Sequence, residues 1–160
     1  MFSDGSILLH GTDQVLRALS PRGTIDVLFA FPDGTTAVAL GPNDTIYGST
    51  SDGRLISRAK SGSVRFDVAL TSSSLSPPTV IMSDGSCYIA SRDGTLFHVS
   101  STGDVLRSRN VVPVLGSPVS VDGQGQIYVA GLAGVVQAFR PDLELKYLSL
   151  IHISEPTRPY

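Results

Sequence analysis

The sequence predicts an all-β fold assembled from four copies of one unit, and three observations carry that prediction. The 160 residues include 16 Gly and 10 Pro with 16% charged side chains, a turn-rich and weakly charged composition unlike that of a helical domain. One segment recurs: residues 4–27 return as 43–66, 84–107 and 123–147, with Leu8, Tyr47, Tyr88 and Tyr128 equivalent at steps of 39, 41 and 40 residues. No helical apolar period survives the Gly and Pro punctuation, which excludes helical repeats. Hydrophobic content of 41% with a net charge of -2 excludes a disordered chain, and no stretch approaches the roughly 20 apolar residues of a membrane-spanning helix. With 12 Lys+Arg against 14 Asp+Glu and no basic run, neither a nucleic-acid partner nor membrane insertion is expected.

Each element of the unit follows from reading down equivalent positions. Ile7, Ile46, Cys87 and Ile127 share one column and Leu9, Gly48, Ile89 and Val129 the next but one, so alternate positions of a short strand are expected to face a core. Asp13, Asp52 and Asp93 then precede Gln14, Gly53 and Gly94, the chemistry of a tight hairpin that requires positive φ. A second hairpin strand follows at residues 15–20, 54–59, 95–100 and 135–140. Another turn comes at Gly23, Gly62 and Gly103, with Leu143 as the odd member, and a further strand begins at Ile25, Val64, Val105 and Leu145. Short apolar runs at residues 36–40, 79–82 and 118–121 complete the unit between copies. Four short strands in about 40 residues, none able to bury its faces alone, is the arithmetic of a β-propeller blade. A sandwich or closed barrel does not require such a period. The expected fold is therefore a partial β-propeller of about four blades, each a four-stranded antiparallel sheet.

The blades resemble the quinoprotein-like, or pyrroloquinoline quinone (PQQ)-like, propeller repeat. Ser76-Pro77 and Ser117-Pro118 match its first element, Cys87-Tyr88-Ile89 and Ile127-Tyr128-Val129 its second, Asp52-Gly53-Arg54-Leu55 and Asp93-Gly94-Thr95-Leu96 its third, and Ala138-Phe139 with residues 142–147 its last. The likeness covers about residues 4–148, with blades at 4–30, 35–70, 76–110 and 117–148. The positions where the family docks a blade Trp hold Val27, Phe66, Arg107 and Tyr147, and the chain contains no Trp. It also lacks the vicinal Cys pair and the clustered Glu, Asn and Asp that quinoprotein dehydrogenases place around cofactor and calcium. The resemblance thus implies a non-enzymatic binding or scaffolding module with protein partners, similar to the propellers of outer-membrane assembly, in a periplasmic or other extracytoplasmic setting. Its alternatives are part of a PQQ-dependent dehydrogenase, which would bring PQQ and calcium, or the sensor domain of a larger chain such as a membrane kinase.

Other candidate groups read as structural, and no catalytic, cofactor-binding or metal-binding residue is assigned. His10 and His98 stand in different columns with no thiolate or carboxylate cluster beside them. Cys87, the single cysteine, lies in an apolar column and rules out an internal disulfide. Asp52, Asp84, Asp93 and Asp122 all precede Gly in expected turns. Asn43-Asp44-Thr45 has the form of a glycosylation sequon.

Both ends depart from the period. The first copy starts in its second strand, so its inner strand is expected to be missing and Met1 to be an internal residue or a miscalled start. At the other end, LSLIHISEPTRPY resembles the translation of a sequencing-library adapter. Residues 149–160 contain no Gly or Asp, against 16 and 12 in the preceding 148, and are expected to be a non-native tail.

Overall fold

The computed structural model describes residues 1–114 and 117–150, which form four antiparallel sheets in chain order. The first holds β1 (Ile7–His10), β2 (Val15–Leu19) and β3 (Ile25–Ala30); the second holds β4 (Thr35–Leu40), β5 (Thr45–Thr50), β6 (Arg54–Ala59) and β7 (Val64–Ala69). The third holds β8 (Thr79–Val80), β9 (Cys87–Ala90), β10 (Thr95–Val99) and β11 (Val105–Asn110); the fourth holds β12 (Ser120–Val121), β13 (Ile127–Ala130), β14 (Val135–Phe139) and β15 (Leu145–Leu150). The first sheet has three strands, as its shortened copy predicts. Two 3-10 turns, Pro42–Asp44 and Leu132–Gly134, are the helical elements among the described residues. Ser149 and Leu150 continue β15, pairing with Val136 and Val135, while residues 151–160, which hold the rest of the expected non-native tail, lie outside the described residues.

The hairpins close as their sequence dictates. Gln14, Gly53, Gly94 and Gly134 adopt φ of 61°, 88°, 93° and 71°, and Gly23, Gly62, Gly103 and Leu143 adopt 84°, 91°, 97° and 65°. Leu143 therefore carries a side chain into the left-handed region, where most L-residues are strained. The turn carboxylates supply the remaining stabilisation: Asp84 accepts hydrogen bonds from the Ser86 amide and hydroxyl, and Asp122 from the Gln124 and Gln126 amides.

Three hydrophobic clusters each join consecutive sheets. Leu16 and Ala18 of the first sheet meet Ile46 and Ile56 of the second; Tyr47, Leu55 and Phe66 of the second meet Cys87, Ile89 and Val99 of the third; Tyr88, Ala90 and Leu96 of the third meet Ile127, Val129 and Phe139 of the fourth. Sheets stacked face to face like this, with β4 and β8 in contact at the inner edge, are propeller blades around an axis. Among the described residues no hydrophobic cluster joins the fourth sheet to the first.

Two expectations about the core need correction. One apolar face per strand was expected, but β5 and β9 are buried on both faces because each lies in a sheet with blades on either side. The Ile7 column was expected to face a core throughout, and Ile46, Cys87 and Ile127 are fully buried, whereas Ile7 is 51% exposed. That column packs against the preceding blade, and no blade precedes the first sheet among the described residues.

A third correction concerns blade docking. The break in the ladder between the last two strands falls at Ser57/Arg58, His98/Val99 and Ala138/Phe139 in the later sheets, all one column. In the first sheet it falls at Leu16/Arg17, two residues earlier along β2. Because side chains alternate faces and a bulge changes which residues oppose each other, Val27 pairs with Arg17 and is 67% exposed. Phe29 takes the docking role instead. Its Cδ1 lies 3.2 Å from where a Cβ on Gly62 of the next blade would sit. Phe66 repeats the contact more tightly, with Cγ at 2.7 Å from the corresponding point on Gly103.

Candidate functional site

The junction between the third and fourth blades breaks this pattern, and the site arises there. The docking column holds Arg107, which is exposed, in place of an aromatic ring. The turn opposite holds Leu143, which is buried in the junction and occupies part of the space that Phe66 fills over Gly103. An open notch of about 300 Å³ remains on the face that carries the β8–β9, β12–β13 and β14–β15 turns. Ile81, Val121 and Pro141 wall it, Tyr88 and His98 floor it, and Asp84 and Ser86 stand at its rim.

Tyr88 and His98 are directly opposed on β9 and β10, and their rings stack at 4.3 Å between centroids with 19° between planes. The Tyr88 hydroxyl donates to the Pro141 carbonyl oxygen at 3.2 Å, tying the floor to the fourth blade. Burial pushes the Tyr88 phenol up. Burial likewise pushes the His98 imidazole below its ordinary value, aided by Arg107 and opposed by the Asp84 carboxylate. Asp84 is held below the usual carboxylate range, first by the Ser86 amide. At neutral pH the notch therefore offers a neutral stacked platform beside one anionic rim.

His98 makes the fold pH-sensitive. Its neutral form is favoured in the folded state, so the unfolded chain takes up the proton first as pH falls. Stability contributed by His98 is present above its ordinary value near 6.5 and is lost as pH falls through the lower folded value. Thermal melts should show a falling midpoint from pH 7.5 to pH 5, and His98→Gln should flatten that slope. A slope unchanged in the variant would remove His98 as its source.

The other sequence candidates are scattered. His10 lies on β1 with Nε2 3.2 Å from Gln14 Oε1, two blades away from His98. Cys87 is sealed between the second and third blades, and burial pushes its thiol up to about 12, so it is a packed apolar group. Asp52 and Asp93 accept hydrogen bonds from the hydroxyls of Thr50 and Ser91, which in turn accept from the Arg54 and Thr95 amides at 2.8 and 3.0 Å. Asn43 is exposed in its 3-10 turn. Among the described residues no three His, Cys, Asp or Glu side chains converge on a point that could hold a metal. The sequence reading missed the notch, although hairpin register alone sets His98, the bulky member of a column otherwise Ala, Ser and Ala, across from Tyr88.

No family model matches the chain, and no curated protein matches it. Solved structures do. A WD40 β-propeller domain of Doa1 aligns with TM-score 0.73 at 18% identity, covering 94% of this chain and 52% of its own. Streptogramin B lyase aligns with TM-score 0.75 at 16% identity, covering 93% of this chain and 52% of its own. A protein of unknown function from Bacteroides caccae gives 0.68 at 13%, with 92% of this chain and 58% of that one covered. The chain is thus an open run of β-propeller blades. It spans a little over half the length of these solved propellers, and at such identities the likeness concerns the fold.

Proposed function

We propose that the chain is a non-enzymatic binding or scaffolding module, of the PQQ-like blade type, that receives protein partners on the turn face of its third and fourth blades. The observation that carries this reading is the notch itself: a recess walled by Ile81, Val121 and Pro141 over a stacked Tyr88–His98 floor, with Asp84 and the Ser86 hydroxyl that donates to it at the rim. A recess of this size takes a side chain of a partner. Similarity to a WD40 propeller supports a protein partner. The blade resemblance supports an extracytoplasmic setting.

The test is site-specific photo-crosslinking in cells of the source. A photoreactive residue at Met82, which is exposed beside the notch wall, is expected to capture a discrete protein. Val121→Arg in the same chain should reduce that capture severalfold, and the probe at Ser61, exposed on the second blade, should give none. Alcohol-dependent dye reduction by the purified chain supplied with PQQ and calcium would overturn the reading in favour of a dehydrogenase. Equal capture from Met82 and Ser61 would overturn the notch as the docking point.

A further inference from the structure

One ion pair of the chain shows what can fill the turn-face corner between two blades. In the turn before β1, Asp4 Oδ1 accepts hydrogen bonds from the Ser6 amide and hydroxyl, and Asp4 Oδ2 meets Lys60 Nζ of the second blade at 2.6 Å. The same ammonium lies 4.3 Å from the centre of the Phe2 ring and donates to the Ser6 hydroxyl oxygen at 3.4 Å. The third blade repeats the acceptor half of this arrangement. Asp84 stands three residues before Cys87 as Asp4 stands three before Ile7, and its Oδ1 accepts from the Ser86 amide and hydroxyl at 2.9 and 2.8 Å. The donor half is lost. Lys60 lies two residues before Gly62, and the residue two before Leu143 is Pro141, which walls the notch. Among the described residues no Lys or Arg, Arg107 included, forms a salt bridge with Asp84, and no hydrogen bond reaches its Oδ2. At the middle junction the equivalent residues are Asn43 and Ser101, so neither charge is present there.

The junction of the third and fourth blades thus keeps a carboxylate whose cation the first junction draws from within the chain. We propose, on the reading of the notch as a protein-docking point, that it receives a lysine side chain of the partner. The aliphatic stem lies between Ile81, Val121 and Pro141, and the ammonium sits between Asp84 Oδ2 and the Tyr88–His98 rings. Each part of the side chain meets the chemistry it needs: apolar walls cover the methylenes, a ring face attracts the cation, and the carboxylate pairs with it. Lys60 already has both polar neighbours of this kind, the Asp4 carboxylate and the Phe2 ring. The Ser86 amide keeps Asp84 ionised at neutral pH, so the charge is in place before a partner arrives.

The test titrates Nα-acetyl-lysine N-methylamide into the whole chain through the millimolar range and follows the His98 and Tyr88 ring resonances by NMR. Saturable shifts of both rings are expected, and the norleucine analogue, which has the stem without the ammonium, should bind roughly three- to tenfold more weakly. Asp84→Asn keeps an oxygen for the Ser86 amide, so the turn survives, and should weaken the lysine probe by roughly three- to fivefold while leaving norleucine unchanged. Pro141→Lys restores the internal cation and should abolish binding of the lysine probe, as its own ammonium reaches Asp84. Absence of saturable shifts, equal binding of the two probes, indifference to Asp84→Asn, or full binding to a folded Pro141→Lys variant would each overturn the lysine site. The docking reading is decided separately by crosslinking. Capture from Met82 that falls with Val121→Arg but not with Asp84→Asn would sink the lysine and keep the docking point. Equal capture from Met82 and Ser61, with the lysine probe still bound, would sink the docking point alone.

Discussion

Gly103→Ala is expected to destabilise the chain by about 2–4 kcal/mol, the sum of a left-handed backbone penalty and an overpacking penalty. The backbone holds φ of 97° there, and a Cβ would meet the Phe66 ring at 2.7 Å. The two contributions separate in a second background. In Phe66→Leu the ring that obstructs the new methyl group is gone, so the same Gly103→Ala change should cost only the backbone part, about 1–2 kcal/mol. The fourth blade already exhibits the alternative solution, with Leu143 at φ of 65° buried where the docking column offers Arg107 instead of a ring. Gly53→Ala provides the contrast. Its Cβ would lie 2.1 Å from the Thr71 carbonyl oxygen, in a loop where the Leu70 and Thr71 amides donate to the Gly53 carbonyl. No side chain can yield there, so no partner substitution should relieve its cost. Urea unfolding of the four variants checks all of this, and an equal Gly103→Ala cost in both backgrounds would refute the ring contact.

The local parts of this architecture were legible because they depend on residues adjacent in the chain. Asp-Gly and Gly turn positions take positive φ regardless of what surrounds them, and the strands at Ile25, Val64, Val105 and Leu145 begin where the period places them. Even Leu143, which has the wrong residue type for its column, was located by register. What escaped the sequence depends on where two elements meet. The two-residue displacement of the bulge in the first sheet decides that Phe29 docks and Val27 does not, yet nothing in the two strands marks it. The notch likewise belongs to no single repeat. It needs Arg107 from one blade, Leu143 from the next and His98 across from Tyr88, three departures that look unrelated until the sheets stack.

The first and second departures also explain why a recess opens at this junction. Where the aromatic and glycine columns are kept, as with Phe66 over Gly103, the ring closes the space and nothing can enter. Where they are lost together, the space is divided between a leucine and solvent. Changing residues in the same two columns thus converts a sealed blade contact into an open recess with the strand ladder intact.

The same column logic yields the sharpest test of the uncovered first blade. Ile127→Ala removes a fully buried side chain between the third and fourth blades and should cost about 2–5 kcal/mol. Ile7→Ala removes the equivalent residue of the first blade, half exposed, and should change the stability of the monomer by no more than about 0.5 kcal/mol. Measured by urea unfolding at concentrations low enough to leave single chains, the two isoleucines should therefore differ by several fold despite occupying one sequence column. A large Ile7→Ala cost in the dilute monomer would mean that the face is already covered by the chain itself, and the column would then be buried in all four blades.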